Sequence, residues 1–173
     1  MLRFLVLRFL AAGLVAANLL SPAAGAAASV IPIAVADLAH AAEVVVLGTV
    51  RSTRVDHDPR GTTFTVVEVK PTEVLKGTPP GTVVVRQLGG VTAAGGSIVA
   101  GSATFAPGEC VLLFLRREGG DLRLVGEAQG KFSVVRDAGS SSWTANRVEP
   151  DTGRVLDSVP LDRIKELLAR PSP

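Results

Sequence analysis

Cys110-Val111-Leu112-Leu113-Phe114-Leu115 decides the fold. Successive side chains of a strand point to opposite faces, so this run, which contains no polar residue, is apolar on both. A strand of that kind lies centrally, covered from each side, and not on a sheet with one wet face. Cys110 at its head suits a small buried apolar position. As the only cysteine it can form no internal disulfide, which leaves a bridge between chains or a reactive thiol as its other uses.

Outward from this run, short β-branched segments alternate with Gly, Pro and Asp clusters. This spacing predicts strands near 44–54, 62–75, 82–88, 110–117, 122–127 and 132–136, with weaker ones at 143–148 and 154–156. Turns fall at 56–61, 76–81, 118–121, 137–140 and 149–153. The expected fold is mainly β: an antiparallel OB-like barrel or strongly curved sheet with a short N-terminal helix and a C-terminal helix. The first helix spans 34–42 and precedes the first strand; the second spans 161–170. In the second, Leu161, Ile164, Leu167 and Leu168 recur at helical spacing, Pro160 suits its start and Pro171 ends it. So short a helix is marginal alone in water, so its stripe is expected to dock on the barrel and cover the second face of the central strand.

The chain opens with a basic start at Arg3, an apolar run from Phe9 to Leu20, and small residues through Ala24-Gly25-Ala26. That order reads as a secretory signal peptide over residues 1–26, leaving 27–173 as a single β-rich domain. Asn18, Ser21 and Pro22 cut the apolar run short of the roughly 20 residues a membrane span needs, so no span is expected after processing. The product is expected to be exported, periplasmic or extracellular. Processing removes Arg3 and Arg8 but no acid. The 18 Lys and Arg of the full chain are thereby brought level with its 16 Asp and Glu. Net charge thus gives no reason to expect nucleic acid or anionic lipid.

Catalytic constellations are sparse. His40 and His57 are the only imidazoles; His57, between Asp56 and Asp58, sits on a turn where adjacent residues rarely converge on one metal ion. Ser140-Ser141-Ser142 lacks a Gly-x-Ser-x-Gly elbow, and the sequence leaves open whether Glu109 and Glu127 face each other. The expectation is a protein that is not an enzyme and needs no cofactor or metal. The glycine-rich segment 88–102 lacks the Gly-Lys-Ser/Thr ending of a phosphate loop. It reads as a mobile connection or glycine-rich hairpin, with Gly89, Gly90 and Gly101 as candidate walls of a binding surface. Gln129 and Lys131 flank Gly130 in a tight link between strands and are further candidates, with Lys131 expected to be solvated. Trp143, amid polar neighbours, reads as packed on the barrel edge or as an exposed anchor for a partner. With no Tyr and the mature Phe residues (64, 105, 114 and 132) read as core, the stacking platform of a nucleic-acid binder is missing.

Ala41-Ala-Glu-Val-Val-Val-Leu-Gly-Thr-Val50, Glu73-Val-Leu-Lys-Gly77, Gly89-Gly90, Phe105-Ala-Pro-Gly-Glu109 with 112–115, and Gln129-Gly-Lys-Phe132 together resemble a group of uncharacterised bacterial exported proteins. The valine-rich strand, Val-Leu-Lys-Gly and Pro-Gly-Glu pattern is also similar to the netrin-like modules, which include tissue inhibitors of metalloproteinases. That resemblance implies an OB-type five-stranded barrel flanked by helices. Netrin-like inhibitors chelate the target's zinc with a cysteine at the mature N-terminus, which this chain lacks, so the resemblance does not extend to that mechanism. The functional expectation is an exported, non-catalytic binding or envelope-associated module whose partner is a protein or glycan of the cell envelope. The alternative is a secreted peptidase inhibitor that works without zinc chelation.

Overall fold

The 111–115 run is a central strand with a separate apolar layer on each face. The computed structural model describes residues 31–92 and 95–169. In chain order come α1 (Val35–Ala41), β1 (Val44–His57), β2 (Thr63–Lys76), β3 (Val83–Leu88), β4 (Gly90–Thr92), β5 (Gly95–Ser97), β6 (Cys110–Glu118), β7 (Asp121–Leu124), a 3-10 turn (Glu127–Gly130), β8 (Lys131–Arg136), β9 (Trp143–Val148), β10 (Val155–Pro160) and α2 (Leu161–Ala169). The described residues from Pro32 onward cluster as one compact unit.

The main sheet runs β1-β2-β3-β7-β6-β8-β9-β10, and β1 also pairs with β6. The strands β1-β2-β3-β7-β6 therefore close into a ring, the OB-like barrel expected from the sequence. β1 can serve two neighbours because it is long and bent. Its register with β2 shifts at Val45/Val46, Leu47/Gly48 and Val50/Ser52, and such bulges increase local twist. Residues 44–49 pair with β6, while the outer part of β1 continues with β2 to His57. Gly48 sits at one of these shifts, where an added Cβ would lie 2.6 Å from Lys70 O. β6 is paired with β1 along one edge; its other edge is shared, its C-terminal part by β7 and its N-terminal part by β8.

Alternation along β6 feeds two cores. Val111, Leu113 and Leu115 point into the barrel with Val44, Val46, Val67, Val69, Val83, Val85, Leu122 and Leu124. Leu112 and Phe114 point outward into a second cluster with Phe132, Val134, Ala145, Leu38, Leu161 and Ile164. The two helices supply the cover. Leu161 and Ile164 of α2 are buried, and Leu167 and Leu168 pack half-buried against the same cluster. Lys76 Nζ donates to Ala39 O near the end of α1 at 2.8 Å, and Lys165 Nζ of α2 reaches Glu73 Oε2 of β2 at 2.6 Å.

Several expectations change in detail. The sheet is mixed, not wholly antiparallel: β3 and β7 run parallel through Val85 and Leu122. The cause is the tight β6–β7 hairpin, which returns the chain in the direction of β3 just where the ring must close. The strand expected to reach Glu127 ends at Leu124, because Gly126 (φ 67°) and Glu127 (φ 55°) turn left-handed into the 3-10 turn. The glycine-rich segment contains a hairpin, β4–β5, that stands apart from the main sheet. Phe105 is only partly buried, whereas Phe64, Phe114 and Phe132 are core residues. The expected signal peptide lies outside the described residues. Among those residues no helix is long and apolar enough to cross a membrane.

Candidate functional site

The connection from β3 to β6 covers the barrel core through Ala103 and lines two clefts beside it. Ala103 is its plug, buried in the barrel core. Gln87 secures it: as the next inward-facing position after Val83 and Val85, Gln87 is buried and donates from Nε2 to Ala103 O at 2.7 Å.

Two clefts flank this plug. The first, about 270 Å³, lies between the 103–109 segment, the 3-10 turn, β8 and the β9–β10 turn; Phe105, Glu109, Lys131, Ser133 and Pro150 are among its walls. The second, about 230 Å³, lies under the β4–β5 hairpin, lined by Gln87, Gly89, Gly90, Val91, Ile98 and Val99, among others. Both include Ala103, Thr104 and Pro150, so they adjoin at the plug.

The chemistry of the first cleft is a closed polar cluster. Glu109 Oε1 accepts from Lys131 Nζ at 2.6 Å and from Ser133 Oγ at 2.5 Å, and Glu109 Oε2 accepts from Ala106 N at 3.2 Å. The Lys131 ammonium lies 5.1 Å from the Phe105 ring centroid, and its side chain is only 10% exposed. The expectation of a solvated Lys131 is thus overturned: its partner Glu109 stands just before β6, the strand that pairs with β8, and no local window reveals that pairing. Lys131 Nζ also donates to Ser133 Oγ at 3.4 Å, which closes the cluster of ammonium, hydroxyl and carboxylate.

The second cleft differs. Its walls carry exposed aliphatic side chains: Leu88 (42%), Val91 (61%), Ile98 (85%) and Val99 (38%). The glycines that read as ligand contacts have backbone roles here. Gly89 and Gly90 have φ of 84° and 156°, and a Cβ on Gly90 would press on Val55 and Thr65 Oγ1. Both still line the cleft, whereas Gly101 (φ 79°) turns in open space and lines neither.

The remaining candidates lie elsewhere. Gln129 is a clamp: its Oε1 accepts from Ile33 N at 2.7 Å and from Arg147 Nη1 at 3.3 Å. Arg147, which sequence reasoning passed over, is 2% exposed and also donates to Ile33 O at 2.8 Å. Burial lowers its proton affinity, and Asp157 at 3.8 Å opposes that effect. Trp143, 44% exposed, begins β9, the strand whose far end supplies Val148 to the first cleft. At about 3.3 Å per residue it stands too far along the strand to share that cleft. Glu127 is exposed in the 3-10 turn and does not line the cleft that holds Glu109.

His57 is exposed and sits by Thr63 Oγ1 at 3.2 Å, while the Asp58 carboxylate is taken up by the N–H groups of Arg60 and Thr62. Those bonds, that of Thr62 first, hold the Asp58 carboxyl below its usual range. Among the described residues no three His, Cys, Asp or Glu gather as metal ligands. Cys110 is half-buried on the outward face of β6, and burial pushes its thiol up. No protein-family model matches the chain, and no curated protein matches it.

Proposed function

We propose that this chain is an exported, non-catalytic binding module that holds its ligand in the two adjoining clefts, taken together as its binding groove. The observation that carries the reading is the meeting of the two clefts around Ala103, Thr104 and Pro150. The result is a pair of adjoining clefts, one with exposed aliphatic walls and the other with a neutralised ion pair. Concave, mostly apolar surfaces with a few fixed polar groups are the usual form of a binding site. The Glu109–Lys131–Ser133 cluster favours binding over turnover, because each of its groups is already engaged.

The test places a photo-crosslinking residue at Val91 and, separately, at Leu156, which is 47% exposed but lines neither cleft. Each processed chain is irradiated with the envelope fraction of its own host. Adducts that form from Val91 and not from Leu156 support the reading. Equal capture at both positions, or hydrolysis of a peptide, ester or glycoside library by the purified chain that is lost on Glu109→Gln, overturns it. A captured peptidase whose activity falls on binding would move the assignment to the inhibitor reading.

A further inference from the structure

Gln87 presents an unmet need in the second cleft. Its residue is 7% exposed, and Nε2 is committed to Ala103 O. Because a carbonyl can only accept, that bond fixes which end of the amide is nitrogen. The other end, Oε1, is buried without a hydrogen-bond partner. A buried acceptor left unpaired is costly, and this one occupies an inward barrel position where Val83 and Val85 precede it.

Resting on the groove reading above, we propose that the second cleft takes an extended peptide segment of a partner protein. Its backbone N–H is donated to Gln87 Oε1 and an aliphatic side chain lies against Leu88, Val91, Ile98 and Val99. The wall chemistry selects the class. Four exposed aliphatic residues bound the cleft, and none of its lining residues is aromatic, so a sugar ring finds no face to stack on. An extended peptide supplies both things the cleft lacks: a donor for Oε1 and apolar area for the walls. Access needs the turn at Gly101 and Ser102 to shift while Ile98 and Val99 stay in the wall, since Oε1 has almost no exposed surface. Ser102 Oγ reaches Leu88 O only at 3.4 Å, and two backbone bonds of 3.2 Å, from Ser102 N to Val99 O and from Ala128 N to Gly101 O, hold the turn, so its opening breaks these and no strand pairing.

A display library of random 12-residue peptides, panned against the processed chain, tests this. The expected result is a set of peptides enriched in aliphatic residues. Their affinity falls at least tenfold with Gln87→Met and, separately, with Ile98→Asp, and is unchanged by Trp143→Ala. Ile98 is 85% exposed, so its variant folds and keeps the test decisive even if Gln87→Met does not. Peptides that bind equally well to both variants overturn the proposal. So does a panning that enriches nothing while chitotriose shifts the methyl resonances of Val91 and Ile98; in that case the groove reading stands and the ligand is a glycan. If neither probe shifts any groove resonance, both readings fail.

Discussion

Phe114→Ala probes the two-layer reading of β6 most directly. Phe114 is fully buried on the outward face, edge-on to Phe132 with ring centroids 5.7 Å apart and planes at 61°. A phenylalanine buries roughly 200 Å², and truncation to alanine in a core costs about 3–5 kcal/mol, with about 1 kcal/mol of that from the lost aromatic pair. Taking about 4 kcal/mol, and about 3 °C per kcal/mol for a domain of this size, Tm should fall by about 12 °C. The urea midpoint should drop by about 2 M with the slope unchanged. The variant should still fold, since typical domains hold about 5–15 kcal/mol. The companion Phe105→Ala, at a partly buried cleft position, should cost about 1–2 kcal/mol. Circular-dichroism melts and urea titrations of the processed chain measure both. If Phe114→Ala moves the urea midpoint by less than about 0.5 M, or costs no more than Phe105→Ala, the outward layer is not a core and the reasoning fails.

Ending the chain at Pro160 should uncover the outward cluster beneath Leu161 and Ile164 and drive aggregation; a truncated monomer with an unaltered Tm in size-exclusion and melting experiments would contradict this. Cys110 should react with a maleimide at pH 7 at least tenfold more slowly than glutathione, because burial keeps it a thiol; labelling at the glutathione rate would show an exposed thiolate. The Asp137 carboxyl, held below its usual value by Ser142 Oγ at 2.7 Å and Thr144 Oγ1 at 2.8 Å, should titrate by NMR with a midpoint under 3.8. Its contribution to stability is present above that unfolded value and is lost as pH falls through the lower folded one; a midpoint at or above 3.8 in the folded chain, or no rise in Thr144→Val, would remove it. Exported protein should begin at Ala27 or within a few residues of it by N-terminal sequencing, and recovery of an intact Met1 in a membrane pellet would refute processing.

The architecture was legible wherever a pattern is local. The doubly apolar run at 111–115 announced its own two coverings, and the stripe Leu161, Ile164, Leu167 and Leu168 announced which element would provide one of them. Side-chain alternation and turn residues placed the main strands within a few residues of their ends. Pairings between distant segments were not legible. Nothing near Lys131 in sequence points to Glu109, and nothing near Gln129 points to Ile33, so a buried ion pair and a backbone clamp both resembled surface candidates. The groove itself depends on Pro150, far along the chain, meeting Ala103 and Thr104. Gln87 gave one faint signal that was missed: a polar residue in phase with Val83 and Val85 on a strand whose inward face is otherwise apolar.

The closed ring also sets an order of events for the folding chain. The β1–β2 hairpin involves neighbouring segments and can form early, but β1 finds β6 only after a long loop has closed, and such distant pairings slow folding. Until then β6 shows apolar side chains to both sides, and its outer cover, α2, is the last of the described elements to emerge. The newly made chain therefore passes through an interval in which its most aggregation-prone strand is unprotected. A holdase that shields residues 110–118 during that interval would raise the yield of folded protein without altering the stability of the finished barrel.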